Sequence, residues 1–110
     1  MKLEAVPPGM IDWAGLPSTV LAGATGTAVE RVRQLDDIRL RVVEYRPGYL
    51  ADHWCAKGHV LFVLSGGLVI EHQDGSRYEL GAGTSWHVAD QMFPPHRVLS
   101  ERGARVFIVD

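Results

Sequence analysis

The stretch His59-Val60-Leu61-Phe62-Val63-Leu64-Ser65-Gly66-Gly67-Leu68-Val69-Ile70-Glu71-His72-Gln73-Asp74-Gly75-Ser76-Arg77-Tyr78-Glu79-Leu80 reads as β-structure from end to end. Val60 to Leu64 is the longest apolar run in the chain. It is far short of the roughly 20 residues a membrane span needs. Its side chains are apolar on both faces, which predicts a strand covered on both sides. Gly66-Gly67 is expected to bend the chain and to separate a strand over 59–64 from one over 68–72. Asp74-Gly75, between 68–72 and 77–80, is a two-strand turn signal.

Toward the C-terminus the same grammar continues. Gly81-Ala82-Gly83 is followed by a strand over 84–88, and Met92-Phe93-Pro94-Pro95 forms a loop. Strands over 96–100 and 104–109 flank the turn Glu101-Arg102-Gly103. Toward the N-terminus, 50–55 reads as a short strand after the turn Arg46-Pro47-Gly48. Residues 37–45 alternate, with Ile38, Leu40 and Val42 on one face and Arg39 and Arg41 on the other. Residues 27–35 have mixed polarity, as at a sheet edge. About eight short strands with almost no helical period predict an all-β sandwich or small barrel.

Residues 1–26 differ from the rest. Pro7-Pro8-Gly9, Gly15, Pro17, Gly23 and Gly26 leave no room for a helix, and Ile11, Trp13, Leu16, Val20 and Leu21 are too apolar to hang in water. This segment is expected to be an extended arm that wraps over the core or a partner subunit. The chain thus divides into an arm, 1–26, and a β-domain, 27–110. Its 110 residues suffice for one core.

Composition narrows the function. Hydrophobic residues make up 46% and charged residues 22%, with a formal net charge of −2. Basic residues occur singly, so no nucleic-acid footprint is formed. With no apolar segment of signal or membrane length, a cytoplasmic location is expected. The single cysteine excludes an internal disulfide. Edge strands need cover, which the arm would supply across a two-fold axis in a homodimer.

That cysteine belongs to a cluster. Asp52-His53-Trp54-Cys55-Ala56-Lys57-Gly58-His59 places three of the six histidine and cysteine side chains within seven residues. On a strand His53 and Cys55 would share a face, and Gly58 would turn the chain so that His59 opens the next strand. Imidazole and thiolate together suit zinc and other borderline or soft divalent metals. His96, after Pro94-Pro95, is the best candidate for a fourth ligand. The bland alternative is a buried Cys55 and surface histidines. His72, beside the Asp74-Gly75 turn, is expected to be exposed, and His87 to stand outside the site. Trp54 is read as packing, and Arg97 as facing away from His96. Asp52 is read as orienting a ligand or capping a turn; Tyr45, Tyr49 and Tyr78 are potential acids without an assigned place.

At these residues the sequence resembles the cupins, small β-barrels of jelly-roll type. Their first motif runs Gly, five residues, His-x-His, three or four residues, Glu, six residues, Gly. Here His53-x-Cys55, His59 and Gly66 follow that spacing, and Gly48 falls one residue short. Cys55 replaces the second His and His59 replaces the Glu. In the second motif Gly81-x-Gly83 resembles the turn and His96 the closing ligand, with Gly81 in place of the usual Pro and Ser100 in place of the last Asn. Asp52-His53-Trp54-Cys55 is similar to a cupin subgroup named for a DHCW-type signature. The likeness covers about residues 38–109. It implies a jelly-roll barrel holding a divalent transition metal on His53, Cys55, His59 and His96. Losing the carboxylate and gaining a thiolate implies zinc, nickel or copper rather than iron. The barrel would bind or act on a small molecule. The alternative is a non-enzymatic ligand, metal or redox sensor with a structural metal or an empty pocket.

Overall fold

β5, His59–His72, is the longest strand and the hinge of the molecule. The computed structural model describes residues 3–110. Before β5 come β1 (Thr19–Ala22), β2 (Thr27–Leu35), β3 (Ile38–Tyr45) and β4 (Tyr49–Leu50). After it come β6 (Arg77–Gly81), β7 (Ser85–Val88), β8 (His96–Ser100) and β9 (Ala104–Val109). Every pairing among them is antiparallel. The N-terminal half of β5 lies between β9 and β7, in a sheet that continues through β3 and β2 to β1. Its C-terminal half lies between β6 and β8, with β4 beyond β8. One strand therefore serves both walls of a curled barrel, and the all-β jelly-roll class is as expected.

Gly66 explains why the double glycine does not end the strand. Its φ is +75°, and the register against β9 slips between Val63 and Ser65. A side chain at Gly66 would drive its Cβ into the Gly103 carbonyl oxygen. The glycine lets β5 curl from one wall into the other while hydrogen bonding continues. The expected break into two strands is thus corrected to a continuous strand with a bulge.

Inward residues Val43, Leu61, Val63, Ile70, Trp86, Val106 and Ile108 form the core. The other face of β5 is not covered as expected. Val60, Phe62 and Leu64 are 49%, 42% and 43% exposed, because they point out of the barrel wall. β2 is also not the edge. Residues 19–22, within the N-terminal segment, pair with 27–30 as β1. Trp13, in a one-turn 3-10 helix at Trp13–Gly15, packs edge-on against Phe107 at 6.1 Å between ring centres. The Arg31 Nε–H donates to the Leu16 carbonyl at 3.2 Å. The segment therefore packs on its own chain. Among the described residues no helix is long and apolar enough to cross a membrane.

Candidate metal centre

The segment between β4 and β5 leaves regular pairing, and this sets the site. Ala51 N–H donates to the Val98 carbonyl, and Cys55 and His96 exchange both backbone hydrogen bonds, at 2.7 and 2.9 Å. Four steps along this segment thus match two along β8. Unbroken register would have put His53 opposite His96; the excursion through Asp52, His53 and Trp54 puts Cys55 there instead. The expected strand over 50–55 shrinks to Tyr49–Leu50 and an isolated bridge at Cys55. With it goes the shared face of His53 and Cys55.

His59 at the start of β5 and His96 at the start of β8 both turn inward near Cys55. One ligand atom from each of Cys55, His59 and His96 lies within 4.8 Å of the others. His59 Nε2 and His96 Nε2 are 3.0 Å apart. Two imidazole nitrogens on one tetrahedral zinc, each about 2.0–2.1 Å from the metal, lie roughly 3.3 Å apart. The donor spacing therefore fits a metal ion. The Cys55 Sγ accepts the Lys57 N–H at 3.4 Å. His53 does not join the trio. Its side chain is 75% exposed and donates through Nδ1 to the Asp52 carboxylate at 2.6 Å, at the rim of the cavity. That contact holds the Asp52 carboxyl below its ordinary range.

Behind His59 lies an ion-pair network that the sequence did not reveal. The His59 Nδ1–H donates to Asp110 Oδ2 at 3.1 Å, which leaves the Nε2 lone pair free for a metal. The Asp110 carboxylate is fully buried. It takes Arg41 at 2.9 Å and Arg39 at 3.2 Å, and Arg41 also reaches Glu30 at 3.0 Å. Burial alone would raise the Asp110 carboxyl, but Arg41, Arg39 and His59 hold it below its usual value. Burial also disfavours the Arg41 charge; the hydrogen bond to Glu30 and the charge of Asp110 outweigh it and push its pKa up. His59 is held below its ordinary value mainly by burial, against the opposing pull of Asp110. Burial, then the neighbouring His59 and His72, lowers His96 to about 4. Both imidazoles are thus neutral at neutral pH, as metal ligands must be.

A cavity of about 130 Å³ opens beside the trio, lined also by Arg41, Tyr45, Tyr49 and Trp86. Trp86, unassigned in the sequence, packs edge-on to His96 at 4.7 Å. Arg97 borders this cavity, but its side chain lies on the face opposite His96, as expected, beside its cross-strand partner Glu71. Its guanidinium lies 4.2 Å over the Trp54 ring and pairs with Glu71 at 3.2 Å. The inward face of β3 is the Arg41-Val43-Tyr45 face, so the charged side of the alternation is the one that meets the site. His72 is a correction: it is buried, not exposed. The last residue of β5 faces inward opposite His96, and its Nδ1–H donates to the Pro94 carbonyl at 2.7 Å. His87 is exposed on the outer face, opposite Val60. Tyr78 is half exposed, edge-on to His72.

Solved structures overlay nearly the whole chain. An RmlC-like cupin from Shewanella frigidimarina has a TM-score of 0.72 at 14% identity, over 96% of this chain and 91% of that one. A sugar phosphate isomerase from a cupin superfamily, from Silicibacter pomeroyi, has a TM-score of 0.73 at 14% identity, over 92% and 74%. The chain has the cupin fold. The polyketide cyclase RemF from Streptomyces resistomycificus overlays this chain at a TM-score of 0.74 and 16% identity, over 94% of this chain and 78% of that one. No protein-family model matches the sequence, and no curated protein matches it. A cupin fold hosts many chemistries, so the site itself must carry any functional conclusion.

Proposed function

We propose that the protein is a small metal-binding cupin-fold protein of the DHCW type. It holds one divalent transition metal on Cys55, His59 and His96 and binds or acts on a small molecule in the adjoining cavity. The observation that carries this is the convergence of one thiol and two neutral imidazoles from three separate segments, with two nitrogens 3.0 Å apart. A mixed sulfur and nitrogen set without a carboxylate favours zinc, nickel or copper over iron. Three protein ligands leave a fourth position for water or a ligand, the pattern of a working rather than a structural site. The exposed row of Val60, Phe62 and Leu64 gives a second copy an apolar face to bury, which supports a homodimer. A monomer by sedimentation at micromolar concentration would count against that.

Metal analysis of the purified protein tests the site. One equivalent per chain is expected, lost in Cys55→Ala, His59→Ala and His96→Ala and kept in His53→Ala. Absence of metal, or its retention in all three variants of the trio, overturns the assignment.

A further inference from the structure

We propose that Trp54 and Arg97 are positioning residues that determine the donor set of the metal centre. Their stack on the outer face selects the register that brings the Cys55 sulfur to the site in place of a His53 nitrogen. This rests on the metal assignment above.

The segment from Ala51 to Ala56 is fastened at both ends. The Ala51 N–H donates to the Val98 carbonyl at 3.0 Å. The Ala56 carbonyl accepts the Gln91 N–H at 2.8 Å, and the Gly58 N–H donates to the Asp90 carboxylate at 2.7 Å. Between these anchors the segment carries two residues more than β8 can pair. They can bulge before the bridge to His96 or after it. The observed bulge comes before the bridge and sets Cys55 across from His96. A bulge after it would continue the pairing of Tyr49 with Ser100 and Leu50 with Leu99, and would set His53 across from His96. The two registers differ by two residues, so both keep the same face turned inward. His53-x-Cys55 thus offers two third ligands for one position, and a contact outside the ligand set must choose between them.

That contact lies one residue away, on the other face. In the observed register Trp54 stands across from Arg97; in the alternative Asp52 does. Arg97 is already neutralised by Glu71, its cross-strand partner on β5, at 3.2 Å. A carboxylate from Asp52 would bring a second negative charge to a guanidinium that is already paired. The Trp54 ring brings none. Its centre lies 4.2 Å from the guanidinium carbon, where the π face attracts the cation. Asp52 turns instead to His53, at 2.6 Å, and the two side chains stay 58% and 75% exposed. Cross-strand pairs of this kind set strand register. Here the outer pair, Trp54 and Arg97, sets the inner pair, Cys55 and His96.

The test compares the full chain with its Trp54→Leu variant, which keeps apolar bulk and loses the π face. Loaded with cobalt(II), the parent chain is expected to show a thiolate-to-cobalt charge-transfer band. In Trp54→Leu that band should fall by at least half while one equivalent of cobalt stays bound. His53→Ala, nearly silent in the parent, should weaken cobalt about tenfold in the Trp54→Leu chain. In the metal-free chain, Cys55 of the variant should react with iodoacetamide about tenfold faster, since it has left its pairing with His96. Should Trp54→Leu fail to fold, Glu71→Gln leaves Arg97 open to Asp52 and is expected to speed that reaction about threefold. An unchanged band and an unchanged alkylation rate in a folded Trp54→Leu overturn the proposal. A lost band with no dependence on His53 also overturns it, and leaves Trp54 as packing. A parent chain that takes up no cobalt overturns the metal assignment and the choice of donor with it; the alkylation rates then still decide the register.

Discussion

Asp110 shows how one side chain outside the ligand set controls a ligand. Its carboxylate receives the His59 Nδ1–H and so fixes the tautomer that presents Nε2 to the metal. Asp110→Asn is expected to weaken metal binding tenfold to a hundredfold in a chelator competition, the usual effect of losing such a partner. His53→Ala, at the rim, should change it less than twofold. The same residues set the acid response of the metal-free chain. His96 falls to about 4 from an ordinary 6.5, and His59 is also lowered, so between these limits the unfolded chain binds more protons than the folded one. Stability is then full above the ordinary histidine range and declines as pH falls from 6.5 toward 4. Asp110, held below its ordinary 3.8, extends the loss to lower pH. Denaturant midpoints between pH 7.5 and 4 measure this; a midpoint that rises on acidification would contradict it.

At the scale of elements, β5 and the segment before it decide the site. Gly66 allows β5 to serve both walls, and its positive φ is available to glycine at little cost. Gly66→Ala is expected to lower stability by at least about 1–3 kcal/mol, the range for a strained backbone position, with the approach to the Gly103 carbonyl adding to it. Urea unfolding reads this directly, and an unchanged midpoint would show that the curl does not need glycine. The excursion at Asp52–Trp54 has the opposite character. It breaks the ladder, expels His53 and brings Cys55 opposite His96. Local sequence cannot reveal it, because two extra residues between paired strands are visible only against the partner strand.

For the whole molecule, metal and fold are linked. Cys55 lies in the irregular segment before β5, His59 opens β5 and His96 opens β8, so an ion that binds all three stabilises the closed barrel. At a hundred times its dissociation constant it should add about 2.7 kcal/mol. For a domain of this size that raises the melting temperature by roughly 10 °C or more. Zinc, nickel and copper can be compared in one thermal series, and no shift with any of them would argue against a site formed on folding. The β class, most strand positions and the ligand types were legible in the chain alone, because alternation, glycine turns and donor chemistry are local properties. The strands at 96–100 and 104–109 and the roles of Cys55, His59 and His96 as candidates were legible in this way. Register, curl and inward face were decided only by tertiary structure. They separated His53 from the trio, buried His72, exposed one face of β5 and turned Arg41 and Asp110 toward His59. The physical reason is that a side chain's environment depends on which strand lies across from it, and pairing between distant segments is not written in either segment alone.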